Sequence, residues 1–550
     1  MKNFNLVALF LLLTIASFSQ VPVCEWAKTA SGSSVDEANC ITTDLLGNVY
    51  VTGTYASSVL DFGTVELTIT EEGYGDAYLV KYDPAGDVTW AKNAGGLYLN
   101  GGKAVTTDIS GNVYLTGYFM APTLVFGDVT LTNSGDATRE MFLVKFDTGG
   151  NVVWAKSDGG TGNQSPNSIS VDVSGNIFVT GVFDGIMTIG STTLANTGSE
   201  SEMFVIKYNP AGNSLWAKSA GGTSFSTTIA TDLTGNAFVT GSFRNPTLVF
   251  GATTLTNAGN SDMFLVKYDP NGDVLWAKSA GEAGWEDANG LVTDASGNVY
   301  IAGTYSSSSI EFESNTLTAE GNGDIYFVKY AADGDVIWAK KMGGSGYEST
   351  PSLTADEIGN IYVTGSFTSN IFHFEASALN YEGDGSNNDM FFIKCDQSGN
   401  LIWSKTYTQG AAYNITSTKS DASGNLYFTG MFNGGNLVLD AITIANPALF
   451  PDIYLAKLGN NSVGISQINE INQITIFPNP SSVQFSIFFP GNEKTVSVRI
   501  IDFLGREIRT TSFTGENVTV VNDNLAKGVY FILGLTEDKT PLFNKKMIIQ

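Results

Sequence analysis

The stretch of sequence that decides the fold is Asp262-Met-Phe-Leu-Val-Lys-Tyr-Asp-Pro-Asn-Gly-Asp-Val-Leu-Trp-Ala-Lys278. Two short runs rich in β-branched and aromatic residues flank Asp269-Pro-Asn-Gly-Asp273, a segment whose residue types favour a tight turn. This pattern predicts a β-hairpin. Because apolar residues occupy both faces of its first strand, the sheet that contains it must be covered on two sides.

The pattern recurs along the chain in seven copies that lie about 62 residues apart, which indicates a repeat architecture. Each copy has three markers: a Trp-Ala-Lys or Trp-Ser-Lys strand, an Asp-x-x-Gly-Asn turn, and an acidic-x-aromatic-apolar-apolar-Lys strand. The markers begin, in that order, at Trp26, Trp90, Trp154, Trp216, Trp276, Trp338 and Trp403; at Asp44, Asp108, Asp172, Asp232, Asp294, Asp356 and Asp421; and at Asp76, Glu140, Glu202, Asp262, Asp324, Asp389 and Asp452. Four strands per copy predict an all-β, seven-bladed β-propeller with four-stranded blades, and a linear solenoid is the alternative.

The two ends of the repeat region favour the propeller. The region opens with a lone fourth strand, residues 23–28, and its last copy ends at Lys457 without a following Trp-Ala-Lys strand. Together the two ends supply one complete blade, so we expect the N-terminal strand to close the ring. Closure hides the two edge strands that an open array would expose.

Two further local features are predicted within the blades. An insertion of about 20 residues between the second and third strands, for example around residues 247–256, indicates an extra hairpin. The Asp-x-x-Gly-Asn loops, such as Asp294-Ala-Ser-Gly-Asn298, have the composition of hairpin turns, with calcium binding as the alternative. Because these loops lack the bidentate acidic residue that an EF-hand type loop needs, we predict no metal site, and no cofactor is expected.

Composition and charge exclude several function classes. The 550 residues are 43% hydrophobic and 15% charged, which is typical of a folded chain. A net charge of -26 repels phosphate backbones, so nucleic acid is not an expected partner. The single histidine, His373, lies in a strand-like run without a nucleophile motif, so no Ser-His-Asp or Cys-His centre is expected.

The N-terminus has the features of a secretory signal peptide, residues 1–19. It combines a basic start, an apolar run of about a dozen residues, and small residues at Ser17 and Ser19. Since Cys24 follows Val-Pro-Val rather than a small-residue motif, lipid attachment there is not expected. No transmembrane segment is expected in the mature protein, because no other apolar stretch of the sequence is long enough to span a membrane.

The repeat resembles the bacterial seven-bladed β-propeller repeat family called SBBP. The resemblance lies in Asp-x-Phe-Leu-Val-Lys-Tyr-Asp-x-x-Gly-x-Val-x-Trp-Ala-Lys, then Gly-Gly, then Asp-x-x-Gly-Asn-x-Tyr-Val-Thr-Gly, and it covers all seven copies. The insertion between the second and third strands departs from the simplest form of this repeat. The resemblance implies a propeller fold and an extracellular setting, and it carries no assigned reaction.

The composition changes after the propeller, which we predict to span residues 20–458. A polar linker, residues 459–470, precedes residues 471–550, which hold eight Lys or Arg against seven Asp or Glu. The excess negative charge therefore lies in the propeller. Apolar alternation in the final segment predicts a small Ig-like β-sandwich.

This final domain resembles the C-terminal sorting domain of type IX secretion substrates. The motif residues are Phe477, Pro478, Asn479, Pro480, Asp502, Gly505, Gly528, Tyr530, Lys545 and Lys546, with Phe477 where the family often has tyrosine. The resemblance implies the type IX secretion machinery as a partner, and a secreted or outer cell-surface location. The alternative is an ordinary sandwich domain, in which Pro478 and Pro480 protect an edge strand.

Aromatic residues recur in loops that lead from the fourth strand of one blade to the innermost strand of the next. The candidate ligand-binding residues are Tyr98, Phe225, Trp285, Glu286, Tyr347, Glu348 and Tyr413. Aromatic rings beside carboxylates can hold sugars by stacking and hydrogen bonding, although packing under their own loops is the alternative.

The sequence thus predicts an exported, non-enzymatic module for interaction, adhesion or glycan binding, with an extracellular glycan or protein as its ligand. A structural surface scaffold and a carbohydrate-active enzyme with paired carboxylates are the alternatives. No catalytic residue is assigned.

Overall fold

The computed structural model describes residues 21–459 and most of residues 475–549. Within those ranges it leaves out residues 136, 197, 199, 376, 381–387, 408–411, 447–449, 478–480, 482–483, 489–494, 503–506, 522–524, 526 and 536–540. The predicted signal peptide, residues 1–19, and residues 460–470 of the predicted linker lie outside the described residues. The chain separates into two compact units, residues 1–460 and 461–550, and the domain boundaries drawn from the sequence stay predictions.

The described part of the first unit folds into seven four-stranded antiparallel blades without any helix, which confirms the all-β propeller prediction. From the axis outward, blades 1 to 4 comprise Asp36–Thr43, Val49–Tyr55, Asp76–Tyr82 and Val88–Ala94; Asn100–Thr107, Val113–Phe119, Glu140–Phe146 and Val152–Thr161; Gln164–Val171, Ile177–Phe183, Glu202–Tyr208 and Ser214–Ala220; and Ser224–Thr231, Ala237–Phe243, Asp262–Tyr268 and Val274–Ala280. Blades 5 to 7 comprise Glu286–Thr293, Val299–Tyr305, Asp324–Tyr330 and Val336–Met342; Glu348–Ala355, Ile361–Phe367, Asp389–Cys395 and Leu401–Tyr407; and Ala412–Ser420, Leu426–Asn433, Asp452–Leu458 and Cys24–Ala30.

The N-terminal strand closes the ring, as the phase of the repeats predicts. Cys24–Ala30 pairs antiparallel with Asp452–Leu458, and the register runs from Cys24 opposite Leu458 to Ala30 opposite Ile453. The strand is the outermost strand of blade 7. The edge that blade 7 would otherwise expose is therefore paired within the chain.

The repeat tryptophans hold neighbouring blades together. The Trp216 indole of blade 3 lies on the turn before the outer strand of blade 4, where its Nε1 donates to the Pro270 carbonyl at 3.2 Å. Gly272 in that turn has φ +85°, and a Cβ atom there would lie 2.7 Å from the indole. Because only glycine combines positive φ with such close approach, Gly272 allows the Trp216 indole to pack directly on this turn of the next blade.

The Asp-x-x-Gly-Asn loops are hairpin turns, as predicted. Asp232 Oδ1 accepts hydrogen bonds from the backbone N–H groups of Thr234 and Asn236 at 2.9 and 3.0 Å. Its other oxygen lies 3.9 Å from Lys267 Nζ, so the acidic turn residue and the lysine of the third marker form a buried ion pair. In the described part of the chain, no group of three or more His, Cys, Asp or Glu residues is arranged to hold a metal ion.

An extra hairpin follows the second strand of each blade, which confirms the prediction for the insertions, and the hairpin of blade 3 also pairs with the outer strand of blade 2. These hairpins are Val59–Asp61 with Glu66–Thr68, Thr123–Phe126 with Val129–Thr132, Ile186–Ile189 with Thr192–Ala195, Thr247–Phe250 with Thr253–Thr256, Ser309–Phe312 with Asn315–Thr318, Ile371–Phe374 with Ser377–Asn380, and Gly435–Leu439 with Ile442–Asn446.

The second unit is also formed of strands. In its described residues, Thr475–Phe477, Gln484–Phe488 and Asn517–Val521 form one sheet, and Thr495–Asp502, Glu507–Thr514, Gly528–Leu535 and Pro541–Ile549 form another. Side chains of both sheets, such as Ile487 and Ile532, are buried in one apolar cluster. The Ig-like character of this unit stays a prediction.

Candidate functional site: the aromatic rim of blades 4 to 6

Two exposed aromatic side chains occupy equivalent positions in neighbouring blades. Trp285 and Tyr347 directly precede the innermost strands of blades 5 and 6, and they are 47% and 49% exposed. Their backbone N–H groups donate to Ser306 Oγ at 2.9 Å and to Thr368 Oγ1 at 3.0 Å, respectively. The loops that carry the two rings are therefore held in the same way.

An arginine that was not among the candidates lies beside Trp285. The Arg244 guanidinium lies 4.9 Å from the Trp285 ring centre and 5.0 Å from the Phe225 ring centre. Arg244 follows the second strand of blade 4, and its N–H donates to the Thr223 carbonyl at 3.0 Å. Two aromatic faces thus hold one planar cation, an arrangement that cation–π attraction stabilises by about 0.5–1 kcal/mol per exposed contact.

The Arg244 side chain has no hydrogen bond or ion pair to any residue that the structure describes, and the residue is exposed. A guanidinium carries five N–H donors in a fixed plane. The contacts with Phe225 and Trp285 restrict the conformations that the guanidinium can adopt. We name Phe225, Arg244, Trp285 and Tyr347 the aromatic rim.

The two candidate carboxylates do not lie at this surface. Glu286 and Glu348 are fully buried, although both adjacent aromatic rings are exposed. Glu286 Oε1 accepts from Ser307 Oγ at 2.5 Å, and its Oε2 accepts from the Glu282 N–H at 3.2 Å. Glu348 is bonded in the same way, to Ser369 Oγ and to the Gly344 N–H. Neither carboxylate can reach a sugar at the rim in this structure, which contradicts the expectation that they accept its hydroxyl hydrogens.

The same position in other blades shows what these carboxylates do. Asp36 in blade 1 accepts from Ser57 Oγ at 2.7 Å, and Asn100 in blade 2 accepts from the N–H groups of Met120 and Ala121 at 3.3 Å. A neutral amide can therefore take the place of the carboxylate. The position anchors the loop that follows the second strand.

Burial changes the proton affinity of these acids. Removal from water raises the pKa of Glu286 above its usual value. Burial, with the neighbouring Asp324 carboxyl adding to it, raises the pKa of Glu348 to about 7. A buried carboxyl pair of this kind favours a shared proton at neutral pH.

The remaining aromatic candidates do not occupy the position that Trp285 and Tyr347 share. Tyr98 is half-buried, has φ +71°, and packs edge-on against Tyr74 at 5.6 Å between ring centres. Phe225 lies within the innermost strand of blade 4 rather than before it. Tyr413 lies opposite Phe432 in blade 7, and its side chain is outside what the structure describes.

The sorting-motif residues lie in the second unit or outside the described residues. Phe477, Asp502, Gly528, Lys545 and Lys546 are on strands, and Tyr530 is buried. Pro478, Asn479, Pro480 and Gly505 lie outside the described residues. The described residues include no helix with the length and apolar character needed to cross a bilayer.

Comparison with known protein families identifies the C-terminal segment. Residues 475–550 match the family described as the secretion system C-terminal sorting domain. The chain is a type IX-secreted β-propeller. Its destination is therefore the cell surface or the medium, as the resemblance implied.

Relatives of this secreted propeller include proteins of different kinds. It is 28% identical over 388 residues to an uncharacterized WD repeat-containing protein, L264, of Acanthamoeba polyphaga mimivirus, covering 58% of this chain and 28% of that protein. It is 22% identical over 239 residues to an endo-acting ulvan lyase of Formosa agariphila, covering 42% of this chain and 44% of the lyase. The chain spans between 17% and 44% of the length of the curated relatives it matches.

Among solved structures, the polysaccharide lyase Uly1 is similar to the secreted propeller at 11% identity with a TM-score of 0.39. The alignment covers 80% of this chain and 100% of the lyase.

Proposed function

We propose that this type IX-secreted propeller is a non-enzymatic binding module whose aromatic rim holds an extracellular glycan. The observation that carries the proposal is the Arg244 guanidinium, placed between Phe225 and Trp285 with no protein partner for its N–H groups among the described residues. A sugar ring can stack on an aromatic face while its hydroxyl oxygens accept from the guanidinium edge.

The properties of the rim fit this role. Trp285 and Tyr347 expose about half of their surface in neighbouring blades, and their backbone N–H groups donate to the hydroxyl groups of Ser306 and Thr368. Rigid aromatic side chains lose little conformational entropy when they bind a ligand. Arg244 supplies the polar contact that we expected from Glu286 and Glu348.

The net charge of -26 favours neutral over anionic glycans, because long-range repulsion opposes the approach of an anion. Arg244 acts against this repulsion at short range, so acidic glycans also belong in any binding panel. A protein ligand is the alternative, since exposed aromatic residues and arginine are common at protein interfaces.

Polysaccharide cleavage is the second candidate, because one relative of the chain is named an endo-acting ulvan lyase. Glycan cleavage needs positioned acid and base groups. The rim instead offers rings and a guanidinium, and its two neighbouring carboxylates are buried. Binding without turnover therefore has the stronger support.

The experiment is a glycan array probed with residues 20–550, followed by calorimetric titration of each hit. Trp285→Ala and Arg244→Ala should each weaken binding about fivefold or more, the effect of losing about 1 kcal/mol of contact energy. Ile337→Ala is the matched control, because Ile337 is 50% exposed but lies on the outer strand of blade 5.

Three results would count against the proposal. Unchanged affinity in both rim variants would place any glycan site elsewhere. Loss of folding in Trp285→Ala, seen by circular dichroism, would assign the indole to packing. Release of new reducing ends from a bound glycan would favour the enzyme.

A further inference from the structure

The axis of the propeller contains a polar channel that is separate from the aromatic rim. Its volume is about 660 Å³, and the innermost strands of blades 1 to 7 all contribute to its lining. This volume lies within the range of about 300–1,000 Å³ that is usual for small-molecule sites. Most of the lining side chains are Ser, Thr and Asn, which can both donate and accept hydrogen bonds.

The geometry of the innermost strands directs polar side chains to the axis. Each of these strands has a β-bulge at its middle, and a bulge redirects the side chain that it carries. The bulged residues that line the channel are Asn39, Lys103, Asn167, Thr227, Asn289 and Thr416. Lys103 is the cation among these otherwise neutral residues.

A second cation, Lys419, lies further along the channel. It is opposite Tyr427 in blade 7, and the corresponding residues opposite Tyr50 in blade 1 and Tyr114 in blade 2 are Thr42 and Thr106. A lysine thus replaces a small side chain at this place in the fold. Its ammonium group has no ion pair or hydrogen bond to any residue that the structure describes.

The surroundings of Lys419 favour an anion. Burial lowers the pKa of its ammonium group, and the Cys40 thiol of the adjacent blade raises that pKa. Burial likewise lowers the pKa of Lys103, whose ammonium lies 5.7 Å from the Tyr118 ring centre, while the nearby Glu37 carboxylate raises that pKa and the Arg139 guanidinium lowers it. An arriving anion would supply the charge partner that the desolvated Lys419 ammonium lacks among the described residues.

The channel also contrasts with the rest of the molecule. The chain has 54 Asp and Glu residues, yet among the described residues none of these acids lines the channel. Lys103 and Lys419 therefore give the axis a positive character inside an acidic protein. Hydroxyl and amide groups around the two lysines match a ligand that carries hydroxyl groups as well as charge.

We propose that the central channel binds a small hydroxylated anion of the sugar-acid class, with Lys419 opposite its carboxylate and the Ser, Thr and Asn side chains on its hydroxyl groups. Lys103 adds to the positive potential. This site is independent of the aromatic rim and extends the ligand range of the propeller to acidic monosaccharides. Glucuronate is the appropriate probe, because glucose is its neutral counterpart of nearly the same shape.

Calorimetric titration of residues 20–550 with glucuronate and with glucose tests the proposal. We expect glucuronate to bind at least about tenfold more tightly than glucose, the ratio that corresponds to 1.4 kcal/mol. Lys419→Met should weaken glucuronate binding about tenfold and Lys103→Met about threefold, since a charge-assisted hydrogen bond is stronger than a neutral one. Lys419→Arg should keep most of the affinity.

Two control variants show whether the ligand binds in the channel itself. Lys92→Met removes an exposed lysine on the outer strand of blade 1 and should leave glucuronate binding unchanged. Ile337→Ala, on the outer strand of blade 5 and outside both the rim and the channel, should also leave glucuronate binding unchanged. If Lys419→Met does not fold, the glucuronate affinities of Lys419→Arg and Lys103→Met test the site instead. The first should stay close to that of the wild type and the second should be weaker.

The proposal is overturned if glucose and glucuronate bind equally, if neither binds at tens of millimolar, or if the two channel lysine variants bind glucuronate as the wild type does. An equal loss in Lys92→Met would show an effect of net charge and would also overturn it.

Discussion

Removal of the closing strand tests the architecture most directly. Deleting residues 21–30 takes away the strand Cys24–Ala30, which pairs with Asp452–Leu458 through six residue pairs. An antiparallel ladder has on average one backbone hydrogen bond per pair, and each stabilises by about 1 kcal/mol, so the ladder contributes roughly 6 kcal/mol. Contacts of Trp26 with the Tyr427 ring, at 6.0 Å between centres, add to this figure.

The expected change in melting temperature follows from the size of the unit. Unfolding entropy is about 2.1 cal/mol/K per residue, so a propeller of about 440 residues has roughly 0.9 kcal/mol/K in total. A loss of about 6 kcal/mol should lower the melting temperature by roughly 7 °C. Differential scanning calorimetry measures this, and size-exclusion chromatography with light scattering detects self-association through the newly exposed strand edge.

A matched substitution and a rescue experiment sharpen the result. Glu25→Gln removes only the partly exposed ion pair with Lys457 and should change the melting temperature by about 1 °C or less. A synthetic peptide of residues 21–30, added to the truncated chain, should restore part of the loss. The reasoning is refuted if the truncated chain keeps the melting temperature and hydrodynamic radius of the parent protein.

Two further predictions concern export and pH. Truncation after Leu458 removes the sorting domain, residues 475–550, and should retain a folded propeller in the periplasm; equal amounts of truncated and full-length chain in the medium, by immunoblot of cell fractions, would contradict this. Glu348 has its pKa raised to about 7 in the folded state, so the stability it contributes is complete below about pH 4.5 and is lost as the pH rises through 7. Glu348→Gln, which stays neutral, should therefore raise the free energy of unfolding at pH 8 by up to about 3 kcal/mol but leave it unchanged at pH 4. The melting temperature should rise at pH 8 only. The exposed Glu66→Gln is the control, and an equal gain at both pH values would disprove the protonation argument.

Much of the fold could be predicted because the same sequence pattern occurs in each of the seven copies. The phase of the markers placed Trp26 in blade 7, and the structure pairs it with Lys457. The turn chemistry of Asp294 could be predicted because its partners, Ser296 and Asn298, are close in sequence. Contacts that recur in several copies, and contacts between residues close in sequence, both leave a pattern in the sequence and can be predicted from it.

Less of the candidate site than of the fold could be predicted from the sequence. Counting from the repeat tryptophans grouped Tyr98 with Trp285 and Tyr347, but the connecting loops differ between blades, so only Trp285 and Tyr347 are equivalent. The contact of Arg244 with Trp285 joins blades 4 and 5 and has no counterpart among the described residues of the other copies. One signal was available: Arg244 is the only cation that follows the aromatic residue at the end of the second strand, where other copies have Ala56, Met120, Asp184, Ser306, Thr368 and Asn433.

A second signal would have identified the buried carboxylates. Asp36, Glu286 and Glu348 each bond a serine that lies 21 residues later, namely Ser57, Ser307 and Ser369. Where the acid is replaced by Asn100, the residue at that distance is Ala121. Where the acid is present, a serine 21 residues later donates a hydrogen bond to its carboxyl group, and where the acid is absent, that serine is absent too. The acid therefore has a structural role within its blade.

Comparison of the copies therefore separates two kinds of departure from a repeat. Glu286 stands where blade 2 has Asn100, but its carboxyl group accepts a hydrogen bond from Ser307 of the same blade and so has a partner within the fold. Arg244 and Lys419 differ from their counterparts and have no charged partner among the described residues. Burial of the Lys419 ammonium costs solvation free energy that no charged group among the described residues offsets, whereas the exposed Arg244 gains only its two cation–π contacts. A ligand from outside the chain would give either cation a hydrogen-bond or charge partner. By this reasoning the rim and the channel, rather than the acidic loops, are the places where ligands should first be sought.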